Sequence, residues 1–229
     1  MSRQDIQKEI AHFRNTDWYR LEASDQLDET SLKESVQDLV EKTNLKKHAK
    51  VLEIACGGGQ FGLTLVKTAD VDYTGLDLMP ELIADAKKRA IKEKIRANFL
   101  VGDAHKLPFE DKSFDLVVIT YSLHHFPKES LDQVTNEVHR VLKPGGYYYT
   151  LEPNGLNPLV FKWWLLNSPE RILPLGKKWR ETWDLSVNET IIYPWQITRS
   201  LRTRFAKVKV YSIGFTPNNI GFFKKNIRV

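Results

Sequence analysis

An apolar run that breaks into three consecutive glycines limits this chain's fold more than any other feature. Lys50-Val51-Leu52-Glu53-Ile54-Ala55 reads as a buried strand, and Cys56-Gly57-Gly58-Gly59-Gln60-Phe61-Gly62 follows at once. Gly57, Gly59 and Gly62 have the spacing G-x-G-x-x-G, which lets a backbone turn tightly from strand to helix and come close to a ligand. A second strand, Val71 to Leu76, ends at Asp77, twenty residues after Gly57. A carboxylate at that strand end can accept the hydroxyls of a ribose. The spacing therefore argues for a ligand with an adenosine-like half.

The remaining pattern alternates strand and helix. Asn98 to Val101, Phe114 to Thr120 and Tyr147 to Leu151 read as strands three to five, the fourth near-continuously apolar as in strands covered on both faces. Ile6, Ile10 and Phe13 have helical spacing within residues 3–14. Leu32, Val36, Leu39 and Val40 repeat it within 31–43, where Ser31 and Glu34 form a capping box. Pro80 and Glu81 open a helix with Leu82, Ile83, Ala86, Ala90 and Ile91 on one face. Leu131, Val134, Val138, Val141 and Leu142 define another, which Lys143-Pro144-Gly145-Gly146 stops. Lys207 to Ile213 and Gly221 to Lys225 read as closing strands whose short link joins antiparallel neighbours. The expected class is α/β: a doubly wound, mostly parallel sheet with an antiparallel last strand and helices on both faces.

Composition narrows the class further. At 229 residues, 41% hydrophobic and 28% charged, the chain has the makings of one globular domain, and wholesale disorder is excluded. One cysteine excludes an intrachain disulfide and a cysteine-cluster metal site, and no metal is expected. No run of about 18 apolar residues suits a membrane span. The polar start, Met1-Ser2-Arg3-Gln4-Asp5, lacks a signal core, so a cytoplasmic location is expected. The net charge of +5 is uneven: residues 1–150 carry −3 and residues 151–229 carry +8, together with five of the six tryptophans. A basic, aromatic back end follows a balanced front.

The glycine turn and acid fit NAD as well as S-adenosylmethionine; other residues separate the two. Val51-Leu52-Glu53-Ile54-Ala55-Cys56-Gly57-Gly58-Gly59, with its acid inside the strand, resembles motif I of the class I S-adenosylmethionine-dependent methyltransferases. Tyr73-Thr74-Gly75-Leu76-Asp77 resembles their second-strand motif. Gly102-Asp103-Ala104, Leu107-Pro108-Phe109 and Ser113-Phe114-Asp115 are similar to their adenine-side stretch, and Leu142-Lys143-Pro144-Gly145-Gly146 to their turn before strand five. The resemblance covers residues 48–151 and implies a Rossmann-like fold, S-adenosylmethionine as cofactor and S-adenosylhomocysteine as product. It implies that Glu53 orients the loop or the ligand's ammonium group. Ala55, Cys56, Gly57 and Gly59 would line the methionine part. Asp77 would take the ribose, with Leu78 and Met79 beside the adenine; Asp103 and Ala104 would recognise the adenine edge; Thr120 and Tyr121 would lie near the sulfonium. Ala55 stands where the family commonly has glycine, a departure that costs little unless φ is positive there. Cys56 reads as a small buried filler.

Methyl transfer from a sulfonium is an in-line displacement, so a protein mainly aligns the reactants and removes the nucleophile's proton. Tyr121-Ser122-Leu123-His124-His125-Phe126 follows strand four, and His124 or His125 is the candidate base. The one cysteine, in the cofactor loop, excludes a cysteine-nucleophile cytosine methyltransferase. The absence of Asn/Asp-Pro-Pro-Tyr/Phe after strand four argues against methylation of adenine N6 in nucleic acid. Residues 1–47 read as an N-terminal helical lid, 48–151 as the cofactor-binding core, 152–205 as an acceptor-binding insertion and 206–229 as closing strands. Glu152, Trp163 and Trp164 are candidate acceptor contacts. The segment from Leu159 to Leu166 either covers the core, lines a pocket for an apolar or aromatic acceptor, or meets a membrane surface or RNA through Lys177, Lys178, Arg180, Arg199, Arg202 and Arg204. The expectation is methylation of a small molecule at oxygen or carbon. The rivals are an RNA or protein methyltransferase docking through the basic third, an NAD-dependent dehydrogenase, and a non-catalytic S-adenosylmethionine-binding regulator.

Overall fold

The computed structural model describes residues 10–11, 29–126, 130–153, 199–205, 207–213 and 222–228, the last two segments as backbone. Helix α1 (Glu29–Thr43) precedes β1 (Ala49–Ile54), α2 (Gln60–Thr68), β2 (Val71–Asp77), α3 (Pro80–Glu93) and β3 (Asn98–Val101). Then come β4 (Phe114–Thr120), a 3-10 turn (Leu123–His125), α4 (Leu131–Val141), β5 (Leu142–Pro153), β6 (Lys207–Ile213) and β7 (Phe222–Arg228). The sheet order is β3-β2-β1-β4-β5-β7-β6. Strands β1 to β5 pair in parallel, and β7 runs antiparallel to both β5 and β6. The chain winds outward from β1 to β3 and returns to β4 beside β1. The order therefore reverses between β1 and β4, and ligands of such sheets bind outside the carboxyl ends of the strands at that point.

Because strand side chains alternate, the apolar run of β4 feeds two cores. Leu116 and Val118 join Val51 of β1 and Tyr149 and Leu151 of β5 beneath Val36 and Leu39 of α1, Leu63 and Leu65 of α2, and Ile83, Ala86 and Ala90 of α3. Val117 and Ile119 join Leu52, Ile54 and Tyr148 on the other face, under Val134, Val138 and Val141 of α4 with Leu201 and Phe205. Helices on both faces explain why β1 and β4 carry so few polar residues. Loop 107–111 is fastened to α4 by Arg140. Its guanidinium grips both Glu137 carboxylate oxygens at 2.8 Å and donates to the carbonyls of Leu107 and Phe109 at 3.1 and 2.8 Å. A two-pronged pair of this kind fixes orientation as well as position.

Three sequence expectations are corrected. Ser31 is not a cap: it lies inside α1, buried, two residues after the helix begins at Glu29. Ile91 is 79% exposed, because the buried stripe of α3 runs through Ile83, Ala86 and Ala90 and the next residue lies a quarter-turn off it. Lys143-Pro144-Gly145-Gly146 is not a turn ahead of strand five but a bulge within it. Leu142 already pairs with Phe114, and Tyr147 pairs with Leu116, so four residues face Asp115 alone. Asp115 ties the bulge down by accepting from Lys143 Nζ at 2.7 Å and from the Lys50 N–H at 2.9 Å. Of the helix expected at residues 3–14, only Ile10 and Ala11 are among the described residues, and both are helical.

Candidate active site

The site is built where β1, β2, β3 and β4 end. Past β1 the backbone takes left-handed conformations at Ala55 (φ +55), Gly57 (φ +51) and Gly59 (φ +78). A Cβ added at Gly57 would meet no atom within 4 Å, so this stretch of backbone faces open space. Gly62 answers a different need: a Cβ there would come within 2.0 Å of the Tyr73 ring, which lies flush against the start of α2. Ala55 occupies a left-handed position where glycine is at ease and an L-residue costs roughly 1–2 kcal/mol. Ala55→Gly is expected to raise the unfolding free energy by about 0.5–1 kcal/mol, the gain being reduced by glycine's own chain entropy. Urea denaturation tests this, and a less stable variant would mean that the methyl's packing outweighs the strain.

Glu53 lies under the loop, buried at 2% exposure. Its Oε2 accepts from the Tyr73 hydroxyl at 2.5 Å and its Oε1 from Thr120 Oγ1 at 3.4 Å. Burial pushes its pKa up to about 8, against the lowering effect of those bonds. At neutral pH it is mainly a neutral acid that braces β1, β2 and β4 by hydrogen bonds. Cys56 is buried and its thiol is pushed up by burial, so it is inert as a nucleophile.

Asp77, also buried, joins loop to helix: Oδ2 accepts from the Gly57 N–H at 2.8 Å and Oδ1 from the Met79 N–H at 2.9 Å. Burial raises its pKa, and the N–H groups of Met79 and Gly57 counter that. A carboxylate oxygen accepts more than one hydrogen bond, so these contacts leave capacity for hydroxyl donors. The Gly102 N–H bonds to the Asp77 carbonyl at 2.9 Å, which sets Asp103 beside Asp77 at the same sheet edge. Asp103 Oδ1 takes both the N–H of His105 (2.9 Å) and its ring Nδ1 (2.6 Å), and the His105 bond holds the Asp103 pKa down. Met79 and Ala104 are buried at this edge and Leu78 is half-buried.

At the end of β4, Tyr121 is left-handed (φ +51) and its N–H bonds to the Leu151 carbonyl at 2.7 Å. Ser122 Oγ donates to the Thr120 carbonyl at 2.8 Å and lies 3.5 Å from the Ala55 carbonyl. Glu152, 3% exposed, accepts with Oε1 from the N–H groups of Ser122 (2.9 Å) and Leu123 (2.8 Å). Two strained non-glycine residues thus end the two central strands, a recurring mark of functional edges. The 3-10 turn carries the backbone of His124 and His125 to this edge, closed by Phe126 N–H to the Leu123 carbonyl at 3.1 Å. The side chain of His124 lies outside the described residues, as do Trp163, Trp164, Lys177, Lys178 and Arg180.

The structure therefore brings Glu53, Ala55, Cys56, Gly57, Gly59, Asp77, Asp103, Thr120 and Tyr121 to one edge. Sequence reasoning missed Tyr73, His105 and Ser122. Tyr73 left one readable signal: strand periodicity points it to the same face as Val51. Its contact with Glu53 depends on the β1–β2 register, in which Val51 faces Tyr73 and Glu53 faces Gly75. Arg204, counted above with the docking cations, instead pairs with Asp132 at 3.1 Å and bonds to the Ser200 carbonyl at 2.6 Å. Among the described residues, no group of three or more His, Cys, Asp and Glu is arranged to hold a metal ion.

Comparison with known proteins bears on this geometry. A methyltransferase-domain family model matches residues 51–146. Demethylmenaquinone methyltransferase of Chlorobaculum tepidum is 39% identical over 108 residues, which is 47% of this chain and 42% of that one. The ubiquinone/menaquinone biosynthesis C-methyltransferase UbiE of Rickettsia felis is 34% identical over 126 residues, 52% of this chain and 49% of that one. The chain thus spans about half the length of these curated relatives. A crystal structure of a Pyrococcus horikoshii OT3 protein aligns with TM-score 0.71 at 26% identity, covering 95% of this chain and 98% of that one. In the left-handed loop after β1, the acid ending β2 and the sheet order, the chain is similar to the class I S-adenosylmethionine-dependent methyltransferases, whose cofactor is S-adenosylmethionine.

Proposed function

We propose that this protein methylates a ring carbon of a small apolar hydroquinone, with S-adenosylmethionine as donor. The observation that carries the reading is the site at the β1/β4 reversal, in a chain whose matched relatives are named for quinone methylation. The residues fit the donor: open backbone at Gly57 for its methionine end, Asp77 for the ribose hydroxyls, Asp103 and Ala104 for the adenine edge. When bound, it supplies an electrophilic methyl on a sulfonium.

The chain's own residues do the rest. Glu53 and Tyr73 brace the loop from below. Glu152 secures the turn after β4, so that Thr120, Tyr121 and the two histidines are presented at a fixed place. His124 or His125 takes the hydroxyl proton of the acceptor, which makes the ring carbon nucleophilic. Residues 152–205, with Trp163 and Trp164, are assigned to the apolar acceptor. No helix among the described residues is long and apolar enough to cross a membrane. An acceptor drawn from a bilayer would be met with the basic last third against its surface.

The test is incubation with labelled S-adenosylmethionine and chemically reduced demethylmenaquinone, with the product read by mass for one added methylene. Transfer to RNA or protein with none to any hydroquinone would replace this reading with a rival. Asp77→Ala is expected to weaken S-adenosylhomocysteine binding roughly 10- to 150-fold by calorimetry, the worth of charge-assisted hydrogen bonds. A folded Asp77→Ala protein with unchanged affinity would remove Asp77 from the site.

A further inference from the structure

His105 is the residue at this edge that no motif accounts for. Its side chain is 5% exposed. It is held on three sides: the ring stands edge-on to Phe126 with centroids 5.6 Å apart, the carbonyl accepts from Gln133 Nε2 at 3.0 Å, and Nδ1 lies 2.6 Å from Asp103 Oδ1. An ionised carboxylate only accepts, so Nδ1 carries the proton of this bond. Nε2 is buried without a hydrogen-bond partner among the described residues. A buried polar atom left unpaired is costly and calls for an explanation. Here the bond at the other nitrogen supplies one. With the backbone N–H of His105 also on Oδ1, that oxygen is fully engaged. Oδ2 has no partner among the described residues, on a side chain that is 31% exposed.

We propose that His105 is a positioning residue for base selection: it locks Asp103 through Oδ1 so that Oδ2 stands fixed as the acceptor for an exocyclic amino group, and the chain thereby prefers adenine over a 6-oxopurine. The proposal rests on the reading of Asp103 as the adenine contact. A 6-oxopurine presents a carbonyl where adenine presents its amino group, so it sets one acceptor against another. An unlocked Asp103 can swing away and loses much of that discrimination.

The test compares binding of S-adenosylhomocysteine with S-inosylhomocysteine, its 6-oxo counterpart, by calorimetry. The wild type is expected to prefer the adenosyl compound by at least about tenfold. His105→Asn, which keeps an N–H donor near Nδ1, should hold that preference within about threefold of the wild type. His105→Phe, which keeps the ring and removes the donor, should cut the preference to about threefold or less and leave affinity for the inosyl compound nearly unchanged. Asp103→Ala should abolish the preference. A merely structural His105 would weaken both ligands alike, and that result overturns the proposal. So does a full preference in His105→Phe; if Asp103→Ala has lost it, the Asp103 reading survives alone. A wild type with no preference removes the Asp103 reading as well. Should His105→Phe not fold, nitrogen NMR of the wild type decides: an unprotonated His105 Nδ1 overturns the proposal, and an exchange-protected Nδ1 proton that moves with the adenosyl but not the inosyl ligand supports it.

Discussion

Replacing both His124 and His125 by alanine is expected to lower kcat at least about tenfold while S-adenosylhomocysteine still binds with wild-type affinity. The turn that carries the two residues ends β4 beside the reversal point, and Glu152 holds its first N–H groups at 2.9 and 2.8 Å. The donor contacts proposed above, Gly57, Asp77, Asp103 and Ala104, lie at the ends of β1, β2 and β3, so the two effects should separate. A phenolic hydroxyl has a pKa near 10 and is mostly protonated at neutral pH, which leaves a base about 10²–10⁴-fold of work to do. The base must be neutral to act. The wild-type rate should therefore fall as pH drops through the imidazole range, about 6.5, and the double variant should lose that limb. The single variants then show which histidine carries it. If the double variant keeps the wild-type rate and pH profile, neither is the base, alignment alone drives the reaction, and nitrogen becomes the better candidate for the target atom.

Glu53 should dominate the pH dependence of stability. Its pKa is about 8 in the fold, against 4.5 as its ordinary value. The folded state thus holds this proton more tightly than the unfolded chain, and the sign follows. Below about 4.5 both states are protonated and the full benefit is present. Between 4.5 and 8 the unfolded chain gives up the proton first, so stability falls as pH rises. The whole interval corresponds to about 5 kcal/mol at most. Burial also raises the pKa values of Tyr73 and Cys56, which keeps both neutral over this range. Glu53→Gln keeps a carbonyl to accept from Tyr73 and cannot ionise. Urea unfolding of both proteins from pH 5 to 8.5 should give curves that diverge, with the variant the more stable at the alkaline end. Parallel curves would mean that Glu53 is ionised and compensated throughout.

The two predictions differ in how far the sequence anticipates them. His124 and His125 follow from position alone, because a polar pair just past a near-continuously apolar strand must lie at the carboxyl edge of the sheet. The state of Glu53 does not. An acid inside an apolar run can be read, but its partner is Tyr73, twenty residues away. That contact exists only because parallel pairing sets Val51 opposite Tyr73. Glu152 reads as a charge at a strand end facing an acceptor, and the fold turns its Oε1 to two N–H groups that Tyr121 exposes by going left-handed. His105 sits between two stretches that matched a motif, Gly102 to Ala104 and Leu107 to Phe109, without belonging to either, and that its Nε2 has no partner among the described residues is a property of what surrounds it.

By itself the sequence determined the strand and helix order of residues 48–151, the place of the glycine loop, the acids at the ends of β2 and β3 and the family they resemble. Those features are local: a run, a spacing or a turn residue states its own conformation. Tertiary structure alone decided that Ala55 and Tyr121 are strained, that Lys143 to Gly146 bulge into β5, that Ile91 is exposed, and which acids are neutral, bridged or free to receive a ligand. These depend on burial and on partners far along the chain. Desolvation and a hydrogen bond across 20 or 30 residues exist only once strand register has brought the groups together.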